Sequence, residues 1–183
     1  MNSIRIKFVI VLALMVSTMA LTQTSTPAAP VRDHNTPDLP SPLCDSLQPP
    51  AGSHLILRAY AIGAQLYRWN GTSWSFVEPV ATLYNDAAYQ EKIGTHYLGP
   101  TWENNNGSKV VATKLVGCTP DATAIPWLLL QKVTNDGPSP FGNVTHIQRV
   151  NTKGGIAPTA PGSSIGVVAE VPYTAEYYFY RAN

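Results

Sequence analysis

From His54 onward the chain is cut into short apolar runs by Gly, Pro and Asn, and almost no segment has the spacing of a helix. "QLYRW-NG-TSWSFV" sets two strand-like runs on either side of Asn70-Gly71. An Asn-Gly pair supplies the two positive-φ residues that a tight hairpin turn needs. "THYLGPTWE" and "SKVVATKLVG" flank "NNNG", a second expected hairpin. "IPWLLLQKVT" is a continuous run of buried-strand type, "VTHIQRVN" alternates, and "GVVAEVPYTAEYYFYR" reads as two strands broken at Pro172. Only "DAAYQEKIG" has helical character, two turns at most. Many short strands with so little helix predict a single all-β domain, an antiparallel β-sandwich or barrel-like fold.

The N-terminus has a different grammar. Arg5 and Lys7 precede "FVIVLALMV", an apolar run short for a bilayer span, and "STMA" puts Thr18 and Ala20 at the small-residue positions of a cleavage site. Residues 1–20 are therefore expected to be a secretory signal peptide, and the protein secreted and extracellular. "TPDLPSPLCDSLQPP" carries five prolines in fifteen residues. Residues 21–51 are expected to form a disordered Pro/Thr-rich leader, with residues 52–183 as the β domain.

Cleavage would lower Lys+Arg from 12 to 10 against 11 Asp+Glu, a net charge near −1. Such a chain has no electrostatic case for nucleic acid or for an anionic membrane surface. About 160 mature residues suit one domain with its own core, expected to be monomeric.

In an oxidising compartment the two cysteines, Cys44 and Cys118, most simply pair. The bridge would close a loop of about 75 residues, worth at most about 4 kcal/mol in the chain-entropy account, and would pin the leader to the domain. Asn70-Gly71-Thr72, Asn106-Gly107-Ser108 and Asn143-Val144-Thr145 are glycosylation sequons. In a eukaryotic secretory pathway they predict surface positions.

"LYRW", "HYLGPTWE…GSKVVAT", "AIPWLLLQ", "VTHIQRVNTKGGIAPTAPG" and "VPYTAEYYFY" follow one another in this chain. In order and spacing they resemble the secreted proteins grouped as domain of unknown function 3455, over roughly residues 52–181. The resemblance implies a secreted domain and carries no activity with it. Relatives often place cysteines where this chain has Trp69 and the stretch Pro161–Ser163, so the Cys44–Cys118 pairing rests on counting and not on the family. A dehydrogenase-like reading, attached to some relatives, has no support here. No GxGxxG follows a strand, and no βαβ alternation occurs.

The densest patch of chemistry-bearing residues is "IGTHYLGPTWENNNGS". One reading makes His96 and Glu103 an acid/base pair or, with His146, a two-His-one-carboxylate set. The other makes Trp102 core, Glu103 a partner for a strand-edge cation and His96 a hydrogen-bonded structural residue. Gly99-Pro100 breaks the alternation, so Trp102 and Glu103 cannot be assigned to a face. Close ligand pairs such as HxH or HExxH are absent, and neither metal nor other cofactor is expected.

"GSSIG" matches G-x-S-x-G, but a strand and not a helix follows it, so it is read as a Gly/Ser turn. Trp69 and Trp74 stand on opposite arms of the first hairpin, where they could form a cross-strand pair. Trp102 with Glu103, Gln148 and Arg149 could instead bind sugars, ring against ring with polar groups fixing hydroxyls. The expected function is accordingly a non-catalytic binding module, with extracellular polysaccharide or a cell-wall surface as its partner. The alternative is a small hydrolase or lyase, with or without a metal's assistance, using His96, Glu103 and His146.

Overall fold

The computed structural model describes residues 36–183, so the expected signal peptide and residues 21–35 of the expected leader lie outside the described residues. Eight strands follow in order: β1 (His54–Trp69), β2 (Trp74–Tyr84), β3 (Lys92–Tyr97), β4 (Thr101–Asn104), β5 (Lys109–Cys118), β6 (Trp127–Asp136), β7 (His146–Gly154) and β8 (Val168–Arg181). Each pairs antiparallel with the next, and β8 pairs back onto β1 from His54↔Arg181 to Arg68↔Val168. The sheet is a closed up-and-down barrel, which removes both edges that a sandwich would have to protect.

Both expected hairpins form, but the first turns through the four residues 70–73 with positive φ at Gly71 and not at Asn70, and the "THYLGPTWE" arm of the second is itself folded into β3 and β4. Trp69 and Trp74 face each other across the first, with ring centroids 5.5 Å apart. Two local expectations are corrected. "DAAYQEKIG" makes no helix: the Asp86 carboxylate accepts the backbone N–H groups of Ala88, Gln90 and Glu91 and wraps a turn, and Tyr89 sits at φ 57°. Local side-chain bonding of this kind competes directly with helical pairing. Pro172 does not break the last strand, which runs unbroken through it as β8. Its carbonyl accepts Gly155 N–H, so its nitrogen faces the β7 side, past the end of that strand, and the pairing with β1 continues.

Inside the barrel, small residues make room for large ones. Ala59, Ala61, Ala81, Ala112 and Ala175 share the interior with Trp102, Tyr177, Phe179 and Phe141. The end where even-numbered strands finish is closed by the turn Phe141–Asn143. Phe141 is fully buried against Phe179, and Asn135 donates to the carbonyls of Gly142 and Val144 (2.8 and 3.1 Å).

The outside carries a second apolar cluster over β5 to β8, where the chain before β1 packs. Cys44 and Leu47 are fully buried there beside Trp127, Leu129, Tyr178 and Tyr180, and a disulfide joins Cys44 to Cys118. Gln148 donates to the Leu47 carbonyl (2.7 Å) and accepts from Tyr180 OH (2.6 Å). The expectation of a disordered leader therefore fails for residues 36–51. Proline-rich sequence forbids a long helix, but a one-turn 3₁₀ segment, Asp45–Leu47, suffices to bury two apolar side chains.

Candidate functional site

"HYLGPTW" is a hairpin: Leu98, Gly99 and Pro100 turn the chain between β3 and β4, and Gly99 takes φ 81°. His96 stands opposite Trp102, and the two rings stack inside the barrel at 4.2 Å and 11°. Tyr177 meets both edge-on at 5.4 Å. These three rings form the floor of a cavity of about 280 Å³ at the end where odd-numbered strands finish. Its walls are Phe76, Ile125, Leu128 and Leu130, with the buried Gln65 and the more exposed Lys114 and Arg149 as polar lining groups. An eight-stranded barrel is about wide enough inside for side chains alone or for one small ligand. Here it is filled at one end and hollow at the other.

His96 Nδ1 lies 2.8 Å from the Thr101 carbonyl, which can only accept, so Nδ1 carries the proton and Nε2 is a bare acceptor. Burial pushes the imidazole pKa down to about 3, and the Arg149 charge adds to the fall, against the Thr101 bond. An unfolded histidine titrates near 6.5. Between those values the unfolded chain binds the proton and the folded one does not, so stability is full above about pH 6.5 and drains as pH falls toward 3. His96→Gln is expected to flatten this acid limb. Urea midpoints at pH 7, 5 and 4 check it, and equal losses in both proteins would contradict a neutral, buried His96.

Three polar atoms around the cavity are buried without a hydrogen-bond partner: Gln65 Nε2, Trp102 Nε1 and Tyr177 OH. Tyr173 OH, two inward positions from Tyr177 along β8, is in the same condition. The two tyrosine hydroxyls, Gln65 and Arg149 interact electrostatically along this wall, without reaching normal hydrogen-bond geometry. Burial raises the pKa of both hydroxyls, keeping them protonated. Tyr67 OH donates to the Gly155 carbonyl (2.7 Å) at the rim. Gly155 has φ 80°, and a Cβ there would meet Tyr173 Cβ at 2.9 Å and Gln65 Cγ at 3.2 Å, so glycine keeps this wall close.

The sequence-derived sets do not assemble. Of His96, Glu103 and His146, only His96 points inward. Glu103 alternates outward on β4, where it accepts from Tyr97 OH (2.5 Å) and pairs with Lys109 (3.3 Å). The Tyr97 hydrogen bond, then Lys109, hold its carboxyl below the usual range. His146 lies outside on β7, opposite Tyr180, with Nδ1 3.2 Å from Thr145 Oγ1. Partial burial lowers its pKa. Among the described residues, no three of His, Cys, Asp and Glu converge on a point that could hold a metal ion.

The sugar-binding set splits too: Trp102 and Arg149 face the cavity, while Glu103 and Gln148 stand outside, the latter sealed under the leader. Trp102, at 1 % exposure, offers no ring to a sugar surface. Ser164 of "GSSIG" lies in the turn before β8, where Gly166 N–H bonds the Trp69 carbonyl and no helix follows.

Gln65, Lys114 and Tyr177 were not singled out from sequence, although a signal existed. Counting by twos along β1 gives Ala59, Ala61, Gly63, Gln65, Tyr67, and along β5 Val110, Ala112, Lys114. In each case a polar residue continues an inward apolar series, which marks the point where the interior stops being core.

Among the described residues no helix is long and apolar enough to cross a membrane. Searches of curated proteins and of solved structures found no match. One family pattern does match, over residues 50–181 and so over most of the chain. The chain belongs to the family described as Protein of unknown function (DUF3455).

Proposed function

We propose that this is a secreted, non-catalytic binding protein that takes one small, largely apolar molecule into the open end of its barrel. The observation that carries the reading is the hollow end itself. A cavity of about 280 Å³ with apolar walls is lined in part by Gln65, Trp102 and Tyr177, and each of these keeps a buried polar atom, Nε2, Nε1 and OH, without a hydrogen-bond partner. Buried polar groups without partners are costly, and a ligand that bonds them recovers that cost. Polysaccharide is the weaker candidate, because the expected sugar platform is divided between the inside and the outside of the barrel. The hydrolase reading loses its acid/base pair for the same reason.

Secretion is supported by the Cys44–Cys118 disulfide. The barrel's outer wall carries the ion-paired Arg58, Glu103, Lys109 and Glu176, and its outer apolar cluster is covered by residues 36–51. Membrane-spanning barrels carry an outward apolar band instead. Asn70, Asn106 and Asn143 are all exposed and would be the glycan acceptors in a host that modifies secreted chains.

The test is fluorescence titration of the mature protein with N-phenyl-1-naphthylamine, a neutral apolar probe that brightens when desolvated. Saturable binding is expected, and Leu128→Trp, which fills the cavity from its wall, is expected to weaken it about tenfold or more. No saturable binding, or binding indifferent to Leu128→Trp, would overturn the reading.

A further inference from the structure

The ligand's charge can be read from the groups that face it. Lys114 and Arg149 both line the cavity, and no carboxylate does. No described ion pair involves either cation. Arg149 is not a loose surface residue. Its Nε and Nη2 both donate to the Pro126 carbonyl (3.2 and 2.9 Å), which holds the guanidinium in place. Two of its five N–H groups are used in this way, and the rest point toward the Tyr177 hydroxyl and the cavity with no carboxylate among the cavity's lining residues. The unpaired side-chain atoms beyond it are also donors: Gln65 Nε2, Trp102 Nε1 and the protonated Tyr177 hydroxyl. Acceptors are present too, His96 Nε2 and the oxygens of Gln65 and Tyr177, but none of them carries a negative charge. Two cations without a carboxylate partner, set around apolar walls, ask for a molecule with an apolar body and an oxygen-rich anionic end.

Resting on the reading of the barrel mouth as a ligand site, we infer that the natural ligand is a small organic anion of this kind, a carboxylate, sulfonate or phenolate on an aromatic or aliphatic body. Its anionic group meets the Arg149 guanidinium and Lys114, and its apolar part lies against Phe76, Leu128 and the Trp102–His96 stack. Guanidinium is suited to the role because its planar fork pairs with two oxygens at once and its charge does not titrate. Lys114, more exposed and on a flexible stem, contributes attraction more than geometry.

Two probes that share one skeleton separate charge from shape. 8-Anilinonaphthalene-1-sulfonate is N-phenyl-1-naphthylamine with a sulfonate added. The sulfonate is expected to bind the mature protein about ten- to hundred-fold more tightly, the range for a charged hydrogen bond gained in a partly desolvated site. Arg149→Gln is expected to collapse the ratio between the probes toward one, and Lys114→Gln to reduce it about two- to fivefold. Lys114→Gln changes a side chain at the rim and keeps the test open should Arg149→Gln fold poorly. Equal affinity for the two probes, or a ratio unmoved by both substitutions, overturns the charge inference while leaving the binding reading intact. If neither probe is displaced by Leu128→Trp, the binding reading falls, and this inference with it.

Discussion

Trp102→Ala is expected to destabilise the protein by about 3–5 kcal/mol, the range for emptying a buried aromatic site. The indole is 1 % exposed, stacked on His96 at 4.2 Å and in edge contact with Tyr177 and Phe179 at 5.4 and 6.2 Å. Each such ring pair adds about 0.5–1.5 kcal/mol to the burial of area. Against a net stability of about 5–15 kcal/mol for a domain, the loss is large. Relaxation cannot fully absorb it, because the closed ladder holds the backbone around the vacated space. Trp102→Phe keeps a ring in the stack and is expected to cost less than half as much. Urea denaturation of the two variants checks the order; similar losses would mean that the indole is not the keystone of the floor.

The second large effect belongs to the disulfide. Replacing both Cys44 and Cys118 with serine releases a loop of 74 residues and is expected to cost about 4 kcal/mol, or about 10 °C in Tm for a domain of this size. The loss has a local component. With the clip gone, residues 36–51 keep the packing of Leu39 and Leu47 and the bond from Gln148 to the Leu47 carbonyl, and the apolar cluster of Trp127, Leu129, Tyr178 and Tyr180 faces water when they lift. Limited proteolysis is therefore expected to cut before His54 in the serine variant and not in the wild type. A Tm within about 2 °C of wild type and an unchanged digestion pattern would contradict this role.

What could be read from the chain alone follows from the range over which each feature is decided. The Asn70-Gly71 hairpin and the alternation of β7 are local, set by turn chemistry and side-chain period, and they were legible. The choice of barrel over sandwich depends on β1 pairing with β8 across more than a hundred residues, for which no local pattern speaks. The orientation of Trp102 was hidden for a different reason. Gly99-Pro100 turned out to be a hairpin turn, and a turn of unknown length leaves the phase of the following strand undetermined. His96 and Trp102, taken as candidates separately, became cross-strand partners, while Glu103 next door went to the other face. Proximity in sequence suggested a polar cluster, and the period of two dismantled it. Arg149 was legible as a binding candidate and does line the cavity, whereas Lys114 looks like an ordinary solvent-facing residue until the barrel closes around it.

The central claim is that the hollow end of the barrel holds a ligand. The most direct measurement is a two-dimensional ¹H–¹⁵N spectrum of the mature protein titrated with N-phenyl-1-naphthylamine. The Trp102 indole N–H and the Gln65 side-chain amide, both unpaired in the cavity, are expected to move and saturate together, while the Trp127 indole, on the outer face beneath the leader, stays in place. Saturable shifts on outward-facing groups alone, with Trp102 and Gln65 unmoved, would contradict the account.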